Sequence, residues 1–528
     1  MSENQSPLLQ QNTFLGKVKK LIGVEPGTKL KPMIAYNSAI FFSGGGPYVM
    51  GCYLLPFLTK VEGLTTAQYG TVALFSCVCD AITDPLMGII TDRTRHKDGR
   101  HRPYLKWGVL PAMIAFFLMW YSFGISDRCQ GGDTTPVMIY YIIAYMLYKT
   151  VSTMIMVPHT AMLPGIAPGY NLRTQFNAVR TVMDAVSSYS SFFVASFVLG
   201  GINGIFVTPS FGPQHRGKFL LMACILCLWT SLPLIFTYKC TSEESSADQV
   251  NEPLDIRAFL NQYKMVIRNR VFRQYFLFGF IMLFGSSFAA QTFYYFLETV
   301  LRQENNYSML TMVQAVGEVL GFFPAYFLSI KKNKQLPAKV FMPVAVSGLA
   351  LAWIFRNSGS PILIFVVEFM YGLGLAGMAS VQNNIFPDVT DVDEMITGER
   401  REGVIATFST FVKKFVSGFA AFGIGKLLAA FGYDTQLAAA EQTETAVFGV
   451  TISFTLIPMV FFFLSFLSIM GYKLTRDKLD FIRSKVKEKK ENGFAVFTVE
   501  EKKDLEKISG VKFEEMWIGQ RETVKETE

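Results

Sequence analysis

The segment DAITDPLMG, residues 80–88, places two acidic side chains inside an apolar stretch that covers residues 67–91. Asp80 and Asp84 are four residues apart, so both carboxylates lie on one face of a helix. A run of about 20 mostly apolar residues can cross a bilayer, and lipid offers backbone groups no partners outside a helix. The segment therefore predicts a membrane-spanning helix that carries a pair of acids.

Comparable apolar runs recur along the whole chain. The 528 residues are 51% hydrophobic and the mean hydropathy is +0.31, which excludes an ordinary soluble domain. We predict an all-α membrane protein with twelve transmembrane helices in two six-helix bundles. The predicted spans cover residues 33–59, 67–91, 104–124, 137–163, 179–207, 217–238, 271–300, 307–330, 338–356, 361–386, 403–431 and 446–473.

The spans fall into two groups of six, separated by a longer charged loop. This layout is expected of a transporter with two helix bundles around a central cavity. It divides the chain into an N-terminal segment, a first bundle, a linker, a second bundle and a tail: residues 1–32, 33–238, 239–270, 271–473 and 474–528. Residues 474–491 can form a helix that anionic lipid attracts, although a solvated tail is the simpler interpretation.

Basic residues cluster in every second loop, most clearly at 92–106. The positive-inside rule then places both termini in the cytoplasm. Because the clusters follow the topology, they do not indicate a nucleic-acid surface, and we expect no nucleic-acid partner. The first 32 residues are polar and do not form a cleavable signal peptide. We expect a monomeric, multi-pass protein in the lipid bilayer of the plasma membrane or an endomembrane.

The acid pair is the strongest functional feature of the sequence. An ionised carboxylate at bilayer depth costs about 2.5–3.5 kcal/mol on insertion scales, so it needs a partner. Two carboxylates that face the same way can share a small cation, and oxygen ligands suit a hard ion. The alternative is that Asp84 caps a helix or pairs with a neighbouring basic residue. A permanent ion pair that left no room for an ion would exclude the cation site.

Several motifs resemble a known family of transporters. The loop GIITDRTRHKDGRHR at 88–102 resembles the major facilitator signature, in which arginines reach carboxylates across the interface between halves. DAITDP, with FPDVTDVDEMITGERREG at 386–403 and KKFVSGFAAFG at 413–423, resembles the glycoside–pentoside–hexuronide:cation symporters of that superfamily. The first span, SGGGPYVMGCYLLPFL at 43–58, resembles their sodium-dependent lysophosphatidylcholine symporter branch.

This resemblance implies a cation site in the first bundle. Asp80 and Asp84 would bind the coupling cation, with Thr83 beside them and Thr153 on the fourth span as further ligands. Sodium is the expected ion at low affinity, and a proton is the alternative because a desolvated aspartate can titrate near neutral pH. No other cofactor is expected.

The resemblance also implies two intramembrane cations near the substrate. Arg180 in the fifth span and Lys414 in the eleventh match family positions, one from each half. Asp184 follows Arg180 by one helical turn and is its expected helical partner. Lys414 would meet a lipid phosphate, for which an ammonium is a good point-charge partner.

Other positions decide the expected class of substrate. Gly44 and Met156 stand where galactoside-binding members carry carboxylates, so a sugar site of that type is not expected. The seventh-span acid of the lysolipid branch has no clear counterpart here, and Gln291 is the nearest polar residue. With Arg180 and Lys414, Met156 and Gln291 are the expected substrate-binding residues. The aromatic run FYYF at 293–296 either flanks a choline-like head group by cation–π contact or packs between helices. Lys149, inside the fourth span, has no assigned role.

These observations predict a cation-coupled symporter that moves a small organic solute, preferably a lysophospholipid-like amphiphile. A glycoside or hexuronide symporter and a passive lipid scramblase are the alternatives. The sequence lacks a G-x-S-x-G elbow, a P-loop and zinc-ligand spacing, so we do not expect an enzyme. GLGLAG at 372–377 lies in a span, where small residues favour close helix packing over nucleotide binding.

Overall fold

The structure is a computed structural model, and it describes residues 30–129, 132–167, 170–201, 207–243, 266–331, 334–358, 360–399, 401–472 and 474–520. Within these ranges the regular secondary structure is helical and contains no strand. The predicted all-α fold is therefore confirmed. Most of the predicted linker and the outer ends of the chain lie outside the described residues.

The helices follow the predicted spans. In the first half they are α1 (Leu30–Asn37), α2 (Gly46–Pro56), α3 (Thr66–Asp92), α4 (Arg102–Trp107), α5 (Val109–Leu118), α6 (Thr135–Ala161), α7 (Tyr170–Gly200) and α8 (Arg216–Cys240). In the second half they are α9 (Arg270–Tyr295), α10 (Tyr307–Lys331), α11 (Leu336–Ile354), α12 (Pro361–Thr397), α13 (Glu402–Ala430), α14 (Glu444–Phe454), α15 (Leu456–Met470), α16 (Arg476–Asn492) and α17 (Val499–Ser509).

Each predicted span corresponds to one helix or to two consecutive helices. The first span is α1 and α2 joined by the π-helical turn Phe41–Gly45, the third is α4 and α5, and the twelfth is α14 and α15. Among the described residues, nine helical stretches are long and apolar enough to cross a membrane. The spans predicted from hydropathy are thus present as helices.

The chain divides into two compact units. Unit 1 comprises Met1–Glu252, Glu304–Ser308 and Ala421–Ala446, and unit 2 comprises Pro253–Gln303, Met309–Ala420 and Val447–Glu528. The first boundary falls inside the predicted linker. Two short segments from the second half of the sequence nevertheless belong to unit 1.

The glycine run of the first span allows α7 to pack closely in unit 1. A Cβ atom added at Gly44 would lie 2.5 Å from the Asp184 carboxylate, and one at Gly45 would overlap the hydroxyls of Ser191 and Ser187. Glycine is therefore the residue that fits both positions. The same packing sets Asp184 beside the π-helical turn.

Small residues on α12 likewise allow close helix packing in unit 2. A side chain at Gly372 would overlap the carbonyl oxygen of Gln314 on α10, whereas Gly374 and Gly377 face Ala345 and Phe341 on α11. The GLGLAG segment is thus a helix-packing motif, as predicted, since each of its glycines admits a neighbouring helix.

The acids that follow this segment are neutralised within unit 2. Each carboxylate of the 386–403 motif that precedes Gly398 has a basic partner: Asp388 pairs with Lys334, Asp391 with Arg483, Asp393 with Arg401 and Glu394 with Lys490. Two of these partners lie on α16. Residues 476–492 therefore form a helix that packs on α12, and the simpler interpretation of a solvated tail is wrong for these residues.

Candidate functional site

The acid pair of α3 faces a polar pair on α6. Lys149 Nζ lies 3.0 Å from Asp80 Oδ2, and the Thr153 hydroxyl donates a 2.7 Å hydrogen bond to Asp84 Oδ1. Both contacts join residues 69 positions apart, so the two helices run parallel here. We call these four residues, Asp80, Asp84, Lys149 and Thr153, the α3–α6 ladder.

Asp80 is the more buried end of the ladder. Its side chain is 3% exposed and that of Lys149 is 22% exposed. Asp80 therefore forms an ion pair with Lys149, a residue that had no assigned role in the sequence. The sequence feature that indicates this contact is a spacing: Lys149 and Thr153 on the fourth span are four residues apart, as are the two acids on the second.

One threonine hydroxyl, that of Thr153, contacts the acid pair, and a second, that of Thr83, belongs to the same helix as the acids. Thr83 Oγ1 is buried and has no hydrogen-bond partner among the described residues, and it precedes Asp84 directly. Two carboxylates and two threonine hydroxyls are hard oxygen ligands. In the part of the chain that the structure describes, no three or more His, Cys, Asp or Glu side chains are grouped as metal ligands.

The face of α6 that carries Lys149 and Thr153 continues beyond the ladder. Met156 and Thr160 follow Thr153 at helical spacing, so they share its stripe. Met156 is half-buried and Thr160 is exposed. The predicted substrate residue Met156 therefore lies on the same face of α6 as Lys149.

A carboxylate from another helix lies beside Gly44, although position 44 itself carries no acid. Asp184 on α7 brings Oδ1 within 2.5 Å of the Cβ position of Gly44. Arg180, one turn earlier, is half-buried, and Asp184 is exposed. An acid from the fifth span thus lies beside Gly44, a proximity that the first span alone does not reveal.

His159 fixes the first span to α6. The Tyr36 hydroxyl donates to the carbonyl oxygen of His159 (2.8 Å), and His159 Nε2 donates to that of Tyr36 (2.9 Å). Their rings stack with centroids 4.4 Å apart. Arg180 interacts electrostatically with both side chains. His159 is therefore a packed histidine, and Arg180 lies close to it.

The predicted substrate residues of the second half belong to unit 2. Lys414 on α13 is half-buried, whereas the adjacent Lys413 is exposed. Gln291 on α9 is also half-buried. Lys413 and Lys414 thus have different environments, and neither Gln291 nor Lys414 is fully enclosed.

The aromatic run at 293–296 packs inside unit 2. All four side chains are buried, and Phe293 and Phe296 stack on Phe454 with centroids 5.4 and 4.5 Å apart. These contacts favour helix packing over a surface that receives a choline-like group.

The basic signature loop is held by the end of α8. Glu243 accepts hydrogen bonds from the backbone N–H groups of His101 and Arg102, each at 3.0 Å. Arg102 Nε donates to the Tyr238 carbonyl at 2.9 Å. Gly99, with φ +94°, leaves room for the Glu243 side chain. These contacts lie within unit 1, and the sequence motif gave no indication of Glu243.

Comparison with known proteins agrees with the transporter interpretation. A family model described as MFS/sugar transport protein matches residues 44–476. The uncharacterized symporter YnaJ of Bacillus subtilis is 28% identical over 87% of this chain and 94% of its own length. The isoprimeverose transporter of Lactiplantibacillus pentosus is 23% identical over 82% and 86% of the two chains.

A vertebrate relative and a solved structure extend the comparison. The sodium-dependent lysophosphatidylcholine symporter 1-A of Danio rerio is 22% identical over 85% of this chain and 88% of its own. The crystal structure of a bacterial homologue of the human lysosomal transporter Spinster is 13% identical over 87% and 99% of the chains, with a TM-score of 0.59. That structure has the same fold, and the named relatives are transporters or symporters.

Proposed function

Because the chain belongs to the MFS/sugar transport protein family of the major facilitator superfamily, the family of glycoside–pentoside–hexuronide:cation symporters, we propose that it couples sodium entry to the movement of a small amphiphile. It is an integral, multi-pass membrane transporter and not an enzyme. The α3–α6 ladder is the observation that carries the coupling proposal.

The ladder offers a binding position for one monovalent cation. It contains two carboxylates, of Asp80 and Asp84, and one ammonium, of Lys149. Carboxylates at membrane depth are stabilised by a positive partner. Sodium would bind between the acids with the hydroxyls of Thr83 and Thr153 as additional oxygen ligands. The sodium-dependent relative from Danio rerio supports this ion over a proton.

Cation binding would change the charge of the central site. With sodium bound, substrate binding becomes favourable, and a transporter loaded with both has a lower barrier to the conformational change of transport. In this proposal the transporter acts as a monomer, and both termini face the cytoplasm because basic loops favour that side. The host membrane is the plasma membrane or an endomembrane.

A lysophospholipid-like molecule is the preferred substrate. Met156 gives α6 an apolar side chain beside the ladder. The half-buried ammonium of Lys414 and the guanidinium of Arg180 suit an anionic group such as a phosphate, with Gln291 as a polar contact. The lysophosphatidylcholine symporter among the relatives supports this choice.

One observation favours a glycoside as the second candidate. The Asp184 carboxylate lies beside Gly44, and carboxylates accept hydrogen bonds from sugar hydroxyls. A relative is named for its transport of isoprimeverose. The arrangement therefore supplies an acid close to the position where a sugar-binding member has one.

Uptake into proteoliposomes tests both the coupling and the substrate. We expect labelled lysophosphatidylcholine to accumulate when an inward sodium gradient is imposed, and a labelled glycoside to accumulate far less. Asp84→Asn should reduce gradient-driven accumulation by about a hundredfold, since it removes a negative ligand of the ion. Asp477→Asn, at an exposed position of α16, is the matched control and should behave as the unaltered protein.

The opposite results are equally informative. Preferential accumulation of the glycoside would establish the second candidate. Equilibration of the lysolipid without any gradient, at equal rates in the unaltered protein and in Asp84→Asn, would identify a passive scramblase and refute cation coupling.

A further inference from the structure

Lys149 is a half-buried charge in the ladder that has no role in the coupling step proposed above. Its Nζ lies 3.0 Å from Asp80 Oδ2. A lysine ammonium is a compact point charge on a flexible stem. It therefore fills, at Asp80, the place that a bound monovalent cation would take.

The second acid of the ladder has a different kind of partner. Asp84 accepts a hydrogen bond from the neutral hydroxyl of Thr153 at 2.7 Å. A hydroxyl oxygen keeps lone pairs that can ligate a cation while its proton turns elsewhere. One acid thus faces a tethered positive charge, and the other faces a group that can become a ligand.

The ammonium has a second position within reach. Lys149 Nζ lies 5.5 Å from the ring centre of Tyr145, one turn earlier on α6, and the lysine side chain is 22% exposed. The face of an aromatic ring attracts a cation. A cation that arrives at Asp80 can therefore displace the ammonium towards Tyr145 without driving it into lipid.

We propose that Lys149 is a tethered competitor of the coupling cation. Its ammonium neutralises Asp80 in the empty transporter and leaves Asp80 when sodium binds between the acids. The inference rests on the proposed function, because it specifies what sodium displaces at that site. Competition of this kind makes Lys149 an affinity-setting residue, since an ion must bind weakly enough to be released on the other side.

Sodium binding to the purified, full-length protein tests the inference without knowledge of the substrate. The thermal unfolding midpoint is measured against sodium chloride concentration at fixed pH, with choline chloride keeping the ionic strength constant. Lys149→Met, which removes the charge and keeps the length, should lower the half-saturating sodium concentration at least about tenfold. Lys149→Arg, which keeps the charge, should retain weak binding.

Two further variants make the measurement decisive. Lys218→Met is the matched control, because Lys218 on α8 donates to the Leu199 carbonyl at 3.0 Å, away from the ladder, and it should leave the sodium response unchanged. Lys149→Gln replaces Lys149→Met if the latter does not fold, since an amide still donates to Asp80 but carries no charge.

Each outcome separates the inference from the proposed function. If the unaltered protein responds to sodium, Asp84→Asn does not, and neutral variants of Lys149 keep the original half-saturation, the competitor role is overturned and sodium coupling stands. A response that appears only in neutral Lys149 variants supports the competitor role and refutes sodium as the natural coupling ion. No response in any of these proteins refutes both.

Discussion

At the residue scale, Glu243 shows how one carboxylate holds a loop. It accepts backbone hydrogen bonds from His101 and Arg102, and His101 Nδ1 lies 2.6 Å from its other oxygen. Burial raises the pKa of Glu243, but the hydrogen bonds from His101 and Arg102 outweigh it, so the pKa lies below its ordinary value of 4.5. The folded protein therefore favours the ionised form.

This depressed pKa predicts the pH dependence of the contact. Ionised Glu243 contributes its full stabilisation above pH 4.5, and the contribution is lost as the pH falls through the lowered pKa. We expect Glu243→Gln to cost about 1.5–3 kcal/mol at pH 7, the range for hydrogen bonds to charged groups. Thermal unfolding midpoints compared at pH 7 and at progressively lower pH should show the two proteins converging.

Glu441→Gln provides the control for this measurement, because Glu441 is an exposed acid in a loop. It should match the unaltered protein at every pH. A constant difference between Glu243→Gln and the unaltered protein down to the most acidic condition would show that the charge of Glu243 does not contribute.

At the element scale, the crossing of α10 and α12 depends on Gly372. A Cβ at this position would overlap the backbone carbonyl oxygen of Gln314, which cannot move aside by changing a rotamer. We expect Gly372→Ala to destabilise unit 2 by about 1–3 kcal/mol, the usual cost of overpacking. The midpoint of thermal unfolding in detergent is the measurement.

Gly88→Ala on α3 is the matched change, since a Cβ there meets nothing within 4 Å. It should be neutral or slightly stabilising, because alanine is the better helix former. Equal midpoints for Gly372→Ala and Gly88→Ala would mean that the α10–α12 crossing can relax by a helix shift.

At the scale of the whole molecule, hydropathy and charge are sufficient to predict the helical spans, because each span must satisfy its own backbone in lipid. The packing role of the glycine motif at 372–377 could also be predicted, because the motif lies within a span. Lys149 and Thr153 repeat the spacing of the acids, but this pattern does not by itself predict the contact of Lys149 with Asp80. The two residues are 69 positions apart, and their contact depends on the register of two helices. The position of Asp184 beside Gly44 likewise depends on how two distant segments pack.

The tail illustrates the same dependence on tertiary contacts, because its composition is that of a solvated segment. Lys489 on α16 is nevertheless 1% exposed. Its ammonium donates to the carbonyl oxygens of Trp517 and Gln520 and lies 4.4 Å from the centre of the Trp517 ring. The Trp517 ring in turn packs against Gly398, at the end of α12. One lysine thus joins the end of the described chain to α16.

We therefore expect Lys489→Ala to release residues 493–520 from unit 2. The change removes a buried charge from two carbonyl acceptors, and hydrogen bonds to charged groups contribute about 1.5–3 kcal/mol. Limited trypsin digestion of the full-length protein should cut this segment several times faster in Lys489→Ala than in the unaltered protein. Lys487→Ala, two residues earlier at a 75% exposed side chain, removes the same kind of cleavage site and should leave the rate unchanged. Equal digestion rates for the two variants would show that the segment is held by its apolar contacts and not by Lys489.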